Sequence, residues 1–240
     1  MSVRALDEPW TRTRPARALR SAILGGVFGP LVAAYAQVEV SGRETLDAIS
    51  GPAVLVANHA SHVDTPILLG ALPPGRRGHT LVGAAADYFY VRRSLAVAVS
   101  LCFGTVPIHR SRETGDGGQG GAGTPVSGDL DALERLVRAG FSLVLFAEGT
   151  RTRTGRLGEF RPGAAALAAR CEVPLVPVHI GGTSALMGPG HGWMARADRA
   201  GVRRRRVTVD FGAPLRPGRS QAAPATMADV RRFMAAHGGG

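Results

Sequence analysis

The chain contains no lysine, and all 29 of its basic residues are arginine. This excludes phosphate-binding loops that end on a lysine, Schiff-base and pyridoxal chemistry, and the strand lysine of protein kinases. The two cysteines, Cys102 and Cys171, stand far apart and outside any C-x-x-C pattern. They exclude a disulfide framework and predict buried free thiols in a reducing compartment. Aromatic residues make up only 5% and no nucleic-acid module is recognisable, so the formal charge of +11 does not predict a nucleic-acid partner. No G-x-S-x-G nucleophile elbow occurs. The Gly-rich stretch from Gly115 to Gly123 contains a G-x-G-x-x-G match, but no strand leads into it and no helix starts in register with it. It therefore predicts a surface loop rather than a dinucleotide site.

What is present suits a globular protein. At 240 residues and 45% hydrophobic, the chain can bury a sizeable core. Residues 1–36 read as an N-terminal segment. Arg12, Arg14, Arg17 and Arg20 precede an apolar run from Ser21 to Ala36 that is interrupted at Gly29-Pro30. The run resembles a signal-peptide core in length and falls short of the roughly 20 residues of a spanning helix. No clear small-x-small cleavage site ends it. The expectation is a membrane-surface helix or hairpin with arginines at the headgroups, the alternative being a first helix packed on the core.

Residues 37–240 read as one domain of alternating strands and helices. Strands are predicted at Val38–Val40, Ala53–Ala57, Thr80–Ala84, Thr105–His109, Ser142–Phe146, Leu175–Ile180 and Arg206–Phe211. Helices are predicted at Pro66–Leu72, Leu95–Leu101, Leu130–Ala139, Gly163–Cys171 and Ala228–Ala236, with Thr226 to Asp229 as a capping box for the last. Such alternation predicts an α/β fold with a mostly parallel central sheet flanked by helices and functional groups at strand ends.

The strand ending at Ala57 delivers Asn58 and His59 and then, five residues later, Asp64, just ahead of a helix opened by Pro66. On one continuous helix His59 and Asp64 would point roughly 140° apart, but a turn lets them meet as a base and its orienting carboxylate. Asn58, the chain's one asparagine, is predicted to bond neighbouring turn backbone. Two other readings stand beside this. Asp64 suits a helix N-cap, and His59, His62 and Asp64 form an H-x-x-H-x-D cluster that a metal-dependent hydrolase could use.

Three further clusters follow in order. Gly104, Ile108 and Arg110 close one strand; Phe146, Glu148, Gly149, Thr150 and Arg151 close another; and Val173 to Pro177 frame a third with prolines. Together with Asn58, His59 and Asp64 they resemble the motifs of the PlsC-like glycerolipid acyltransferase family, which includes the 1-acylglycerol-3-phosphate acyltransferases. The likeness runs from about Val38 to Leu215. Phe160-Arg161-Pro162-Gly163 is similar to the family's next segment, with arginine in place of lysine. Two departures stand out: Ala147 replaces the usual proline, which would loosen the turn before Glu148, and Pro107 replaces an aromatic, which would alter how its strand presents Arg110.

The resemblance implies the family fold with a short N-terminal membrane-associating segment. It also implies transfer of an acyl group from acyl-CoA or acyl-ACP to a lysophospholipid hydroxyl, most readily that of 1-acylglycerol-3-phosphate. Another glycerolipid or alcohol is the alternative acceptor. His59 would be the general base and Asp64 its orienter, while Arg110 and Arg151 would clamp the acceptor phosphate. Glu148 would position hydroxyls or those arginines, Gly149 would let backbone approach the ligand, and Thr150 would add a hydroxyl donor. No metal and no cofactor beyond the acyl-thioester co-substrate is implied. The expected setting is the cytoplasmic face of the cell membrane, peripheral or monotopic, against anionic lipid. Ser94 to Phe103 reads as a core helix or the lining of an acyl path, and Arg203 to Arg206 as a solvated face or lipid contact.

Overall fold

The computed structural model describes residues 9–85, 93–108, 127–148, 160–188, 193–195, 204–218 and 223–238. After a short turn at Pro9–Arg12, the chain forms α1 (Arg14–Ile23), a π-turn (Leu24–Phe28) and α2 (Gly29–Tyr35). Then come β1 (Ala36–Ser41), α3 (Glu44–Asp47), β2 (Val54–Ala57), α4 (Asp64–Ala71), α5 (Pro74–Arg77), β3 (Thr80–Ala85), α6 (Arg93–Phe103) and β4 (Thr105–Ile108). The remainder is α7 (Ser127–Arg138), β5 (Ser142–Phe146), α8 (Gly163–Cys171), β6 (Leu175–Gly181), α9 (Thr183–Met187), β7 (Arg205–Phe211) and α10 (Ala223–His237).

Among the described residues the strands form one seven-stranded sheet in the order β1-β7-β6-β2-β5-β3-β4. Only β6 and β7 pair antiparallel. β2 lies at the centre, with Ala57 opposite Phe146 of β5 and Val178 of β6. All four of its residues are buried, which is why its sequence is a continuous apolar run rather than an alternation. Leu55 and Ala57 face a core shared with the π-turn, α2 and α4, whereas Val54 and Val56 face one shared with α7, α8 and α10. Helices thus cover both faces, and the C-terminal end of β2 opens at mid-sheet, where parallel α/β folds place their ligands.

Proline placement follows from the pairing. Pro107 lies on β4, which is an edge strand. Pro177 sits in central β6, but its carbonyl accepts from Gly212 N just beyond the end of β7, so its missing N–H falls where that pairing stops.

Several expectations change. The N-terminal apolar segment is neither a hairpin nor broken at Gly29-Pro30: Arg14 to Tyr35 form one helix of 22 residues. The π-turn widens the backbone there, Gly29 N–H donates to Leu24 O five residues back, and Pro30 enters the next turn near its start, where a missing N–H costs least. This helix is long and apolar enough to cross a membrane, yet it packs along α4, α6 and β1. The last helix starts at Ala223-Pro224, so Thr226 is a buried residue within it and not a cap. Cys102 and Cys171 are half-buried rather than buried, and burial still pushes both thiols above their ordinary pKa.

His179 on β6 is buried opposite Asp210 of β7, with His237 of α10 nearby. Burial lowers its pKa below 6.5 despite the Asp210 carboxylate 3.6 Å away. The unfolded imidazole therefore takes up a proton first as pH falls. The stability contribution is complete above about 6.5 and declines as pH drops from there toward the folded value. In His179→Gln the melting temperature should fall less steeply than in wild type between about pH 6.5 and 5. Identical slopes would show that His179 does not titrate with folding.

Candidate active site

The central feature is a bend that turns β2 into α4. His59 Nδ1 lies 2.8 Å from Asp64 Oδ2, and the same oxygen accepts from Ala60 N at 2.7 Å and Ser61 N at 2.8 Å. Three donors thus converge on one carboxylate oxygen, and Asp64 is fully buried at the first turn of α4, where the helix dipole favours negative charge. The five-residue spacing works because residues 60–63 curl back instead of continuing a helix. Asp64 is not an N-cap, since the N-cap position is Val63 and no side chain caps the helix. Because the carboxylate only accepts, it holds the proton on Nδ1 and leaves the lone pair on Nε2. The ring is 17% exposed, enough to meet a substrate.

Three supports escape sequence reasoning. The His59 ring stacks on Phe146, with centroids 4.0 Å apart and planes 20° from parallel. Phe146 ends β5 directly opposite Ala57, so the stack follows from β-register, which one sequence does not reveal. Asn58 does not bond nearby turn backbone. Its side-chain amide donates to Ile180 O at 2.9 Å and accepts from Ile180 N at 2.7 Å, which continues the β2–β6 ladder one residue beyond the strand. An asparagine there mimics a peptide group and fixes the backbone that carries His59. Ser61, also buried, donates to Met187 O at 2.6 Å and ties the bend to α9.

Ala147 does not loosen its turn. Its N–H donates to Ala57 O at 2.8 Å, a bond no proline could make, and extends the β2–β5 pairing up to the site. Next to it Glu148 is 7% exposed and follows Phe146 at the end of β5, so the structure brings it to the same sheet end as His59. Arg110, Gly149, Thr150 and Arg151 lie outside the described residues. Gly104, which opens the motif leading to Arg110, has φ +67, and a Cβ there would lie 2.9 Å from the Arg20 guanidinium. That residue is therefore glycine both for its backbone and for its neighbour. Among the described residues no group of three or more His, Cys, Asp or Glu could hold a metal ion, so His59, His62 and Asp64 do not assemble into a ligand set.

A partly exposed His59 held against a buried Asp64 at the mouth of a central strand is an arrangement with the chemistry a general base needs. The chain is matched over residues 37–181 by the family model described as Acyltransferase. It belongs to that family, as the ordered motifs implied. A chloroplastic 1-acyl-sn-glycerol-3-phosphate acyltransferase of Brassica napus is 32% identical over 159 residues, covering 65% of this chain and 40% of that protein. A 1-acyl-sn-glycerol-3-phosphate acyltransferase of Saccharomyces cerevisiae is 33% identical over 157 residues, covering 65% and 46%. The chain thus spans less than half the length of these curated relatives. The crystal structure of the 1-acyl-sn-glycerophosphate acyltransferase PlsC from Thermotoga maritima superposes with a TM-score of 0.59 at 18% identity, over 95% of this chain and 80% of that one, and shares the fold.

Proposed function

We propose that the chain transfers a fatty acyl group from an acyl thioester, acyl-CoA or acyl-ACP, to the free hydroxyl of 1-acylglycerol-3-phosphate, giving phosphatidic acid. The observation that carries this is the convergence of His59 and two backbone N–H groups on Asp64 Oδ2. His59 Nε2 takes the proton as the acceptor hydroxyl attacks the thioester carbonyl, and Asp64 steadies the imidazolium that forms. Collapse of the tetrahedral intermediate expels the thiolate, which recovers the proton from His59. The new ester forms as the thioester breaks, so the step needs neither an acyl-enzyme nor a metal or organic cofactor. Arg110 and Arg151 are assigned to the acceptor phosphate, Glu148 to its hydroxyls or those arginines, Gly149 to a close backbone approach to the ligand and Thr150 to a hydroxyl donor.

The same proposal places the enzyme on the cytoplasmic face of the cell membrane as a monotopic protein, with residues 1–36 as its membrane segment and 37–240 as the acyltransferase domain. Among the described residues the large apolar side chains left exposed are Trp10, Leu19, Val27 and Trp193. Leu19 and Val27 are on the N-terminal helix, and Trp10 lies just before it. Trp193 donates to Tyr35 O–H at its far end. A helix packed along the domain that keeps an apolar edge between two exposed tryptophans suits lying in the bilayer interface rather than spanning it.

The test is an acceptor and donor panel with the purified protein in mixed micelles. Lysophosphatidic acid is expected to give the highest kcat/KM, with a monoacylglycerol lacking phosphate slower by about 10²-fold or more. Equal rates with the unphosphorylated acceptor would overturn the phosphomonoester assignment. No acyl product from any acceptor, with either acyl-CoA or acyl-ACP as donor, would overturn the activity.

A further inference from the structure

A basic concavity lies at the end of the sheet opposite His59. α1 leans there on the α5 turn and on the residues leading into β3, bordering an open surface depression of about 220 Å³ lined by Arg14, Arg17, Ser21, Gly78 and His79 among others. His79 immediately precedes β3, whereas His59 follows β2, which runs in the same direction. The four residues of β2 alone separate the two levels by about 13 Å. This cavity is therefore not where an acceptor whose hydroxyl lies at His59 would place its phosphate.

Its chemistry is that of an anion site without an internal anion. Neither α1 nor the stretch from Pro74 to His79 contains an acidic residue. The Arg17 guanidinium is held over the Phe141 ring at 5.9 Å, and its Nε is buried with no hydrogen-bond partner. Arg20, one turn further along α1, is lowered to about 10 by burial first and then by Arg17. Gly78 adds an independent observation. Its φ of −71° suits any residue, so the backbone does not require glycine. A Cβ there would lie 3.7 Å from Ser21 Oγ and 3.8 Å from Arg17 Cβ, in the space between two lining side chains. Glycine keeps that space open.

We propose that this pocket binds a phosphate group, as a second anion site remote from the reaction centre. Two guanidinium forks, a hydroxyl and an imidazole match the donors a phosphate accepts. Trp10, exposed in the turn directly ahead of α1, favours the phosphodiester of an anionic membrane lipid as its source. The choice of lipid rests on the membrane-surface placement proposed above; the phosphate chemistry does not.

The test measures binding alone, so it is independent of whether the chain transfers acyl groups, and it can be run in the His59→Ala background. One arm measures partition onto vesicles of phosphatidylglycerol in phosphatidylcholine, and the other the rise in melting temperature with inorganic phosphate. Gly78→Leu fills the pocket and leaves the net charge unchanged. It is expected to weaken vesicle binding by about tenfold, in line with the loss of a forked phosphate contact, and to abolish the response to phosphate. The R14K/R17K variant keeps the charge but removes the forks, and should weaken both responses even if Gly78→Leu does not fold. Loss in the vesicle arm assigns a lipid source, and loss in the phosphate arm alone assigns free phosphate; both uphold the pocket. Wild-type behaviour of both variants in both arms would overturn it, since diffuse attraction by the same net charge predicts no change.

Discussion

Replacing His59 with alanine is expected to lower kcat/KM for acylation of lysophosphatidic acid by about 10² to 10⁴-fold, the range that a positioned general base supplies. The fold should survive, because the side chain is partly exposed and its hydrogen bond goes to Asp64. Asp64 retains Ala60 N and Ser61 N as donors in the variant, so its carboxylate is not stranded. KM for the acyl donor should change little, which separates loss of chemistry from loss of binding. A circular dichroism spectrum and melting curve close to wild type, beside the loss of rate, would complete the result. Full activity in the folded variant would remove His59 from the chemistry.

The largest expected effect on stability is at Arg20. This side chain is fully buried, and its Nε donates to Leu101 O while Nη2 donates to Thr11 O and Ser100 O. Two of those carbonyls belong to the last turn of α6, where a cation is favoured, and Ser100 O also accepts from Gly104 N at 2.8 Å. Arg20 thus caps α6 and joins it to the N-terminal helix, while Gly104 leaves room for the guanidinium. Arg20→Met keeps most of the volume and removes every donor. Losing three charge-assisted hydrogen bonds to buried carbonyls should cost about 3 kcal/mol, or roughly 6 to 12 °C in melting temperature for a chain of this size. Because burial lowers its pKa only to about 10, the guanidinium is charged in the folded chain at neutral pH, and the destabilisation should not vary between about pH 6 and 8. Gly104→Ala should destabilise the same junction, and its effect should be less than additive with Arg20→Met. A loss under about 1 kcal/mol for Arg20→Met would show that water replaces the guanidinium.

Much of the fold was legible because the strands that matter are short apolar runs with turn residues between them. β2, β5 and β6 are buried on both faces and therefore read as continuous hydrophobic segments. The His59–Asp64 contact was legible because it is local, five residues apart with a helix start between them. Contacts fixed by sheet order were not. Asn58 meets Ile180 across 122 residues, and Phe146 reaches His59 only because β5 lies beside β2. Arg20 was misleading for a different reason: an arginine in a basic, apolar segment reads as a headgroup contact, and nothing local shows that it donates to three backbone carbonyls. The N-terminal helix carried a similar ambiguity, since Gly29-Pro30 signals a break unless a π-turn absorbs it. Ala147 and Thr226 each received a local meaning that a longer-range pairing or an earlier helix start replaced.

The proposed base and its orienter are tested most directly by a double-mutant cycle on the rate of acyl transfer to lysophosphatidic acid. It compares wild type, Asp64→Asn, His59→Ala and the double variant, each shown to be folded. Asp64→Asn alone should lose about 10²-fold or more, because an amide no longer fixes the Nδ1 proton or balances the imidazolium. Added to His59→Ala it should cost almost nothing further, since Asp64 acts on the reaction only through His59. Independent, multiplying losses, or an Asp64→Asn enzyme as fast as wild type, would contradict the account.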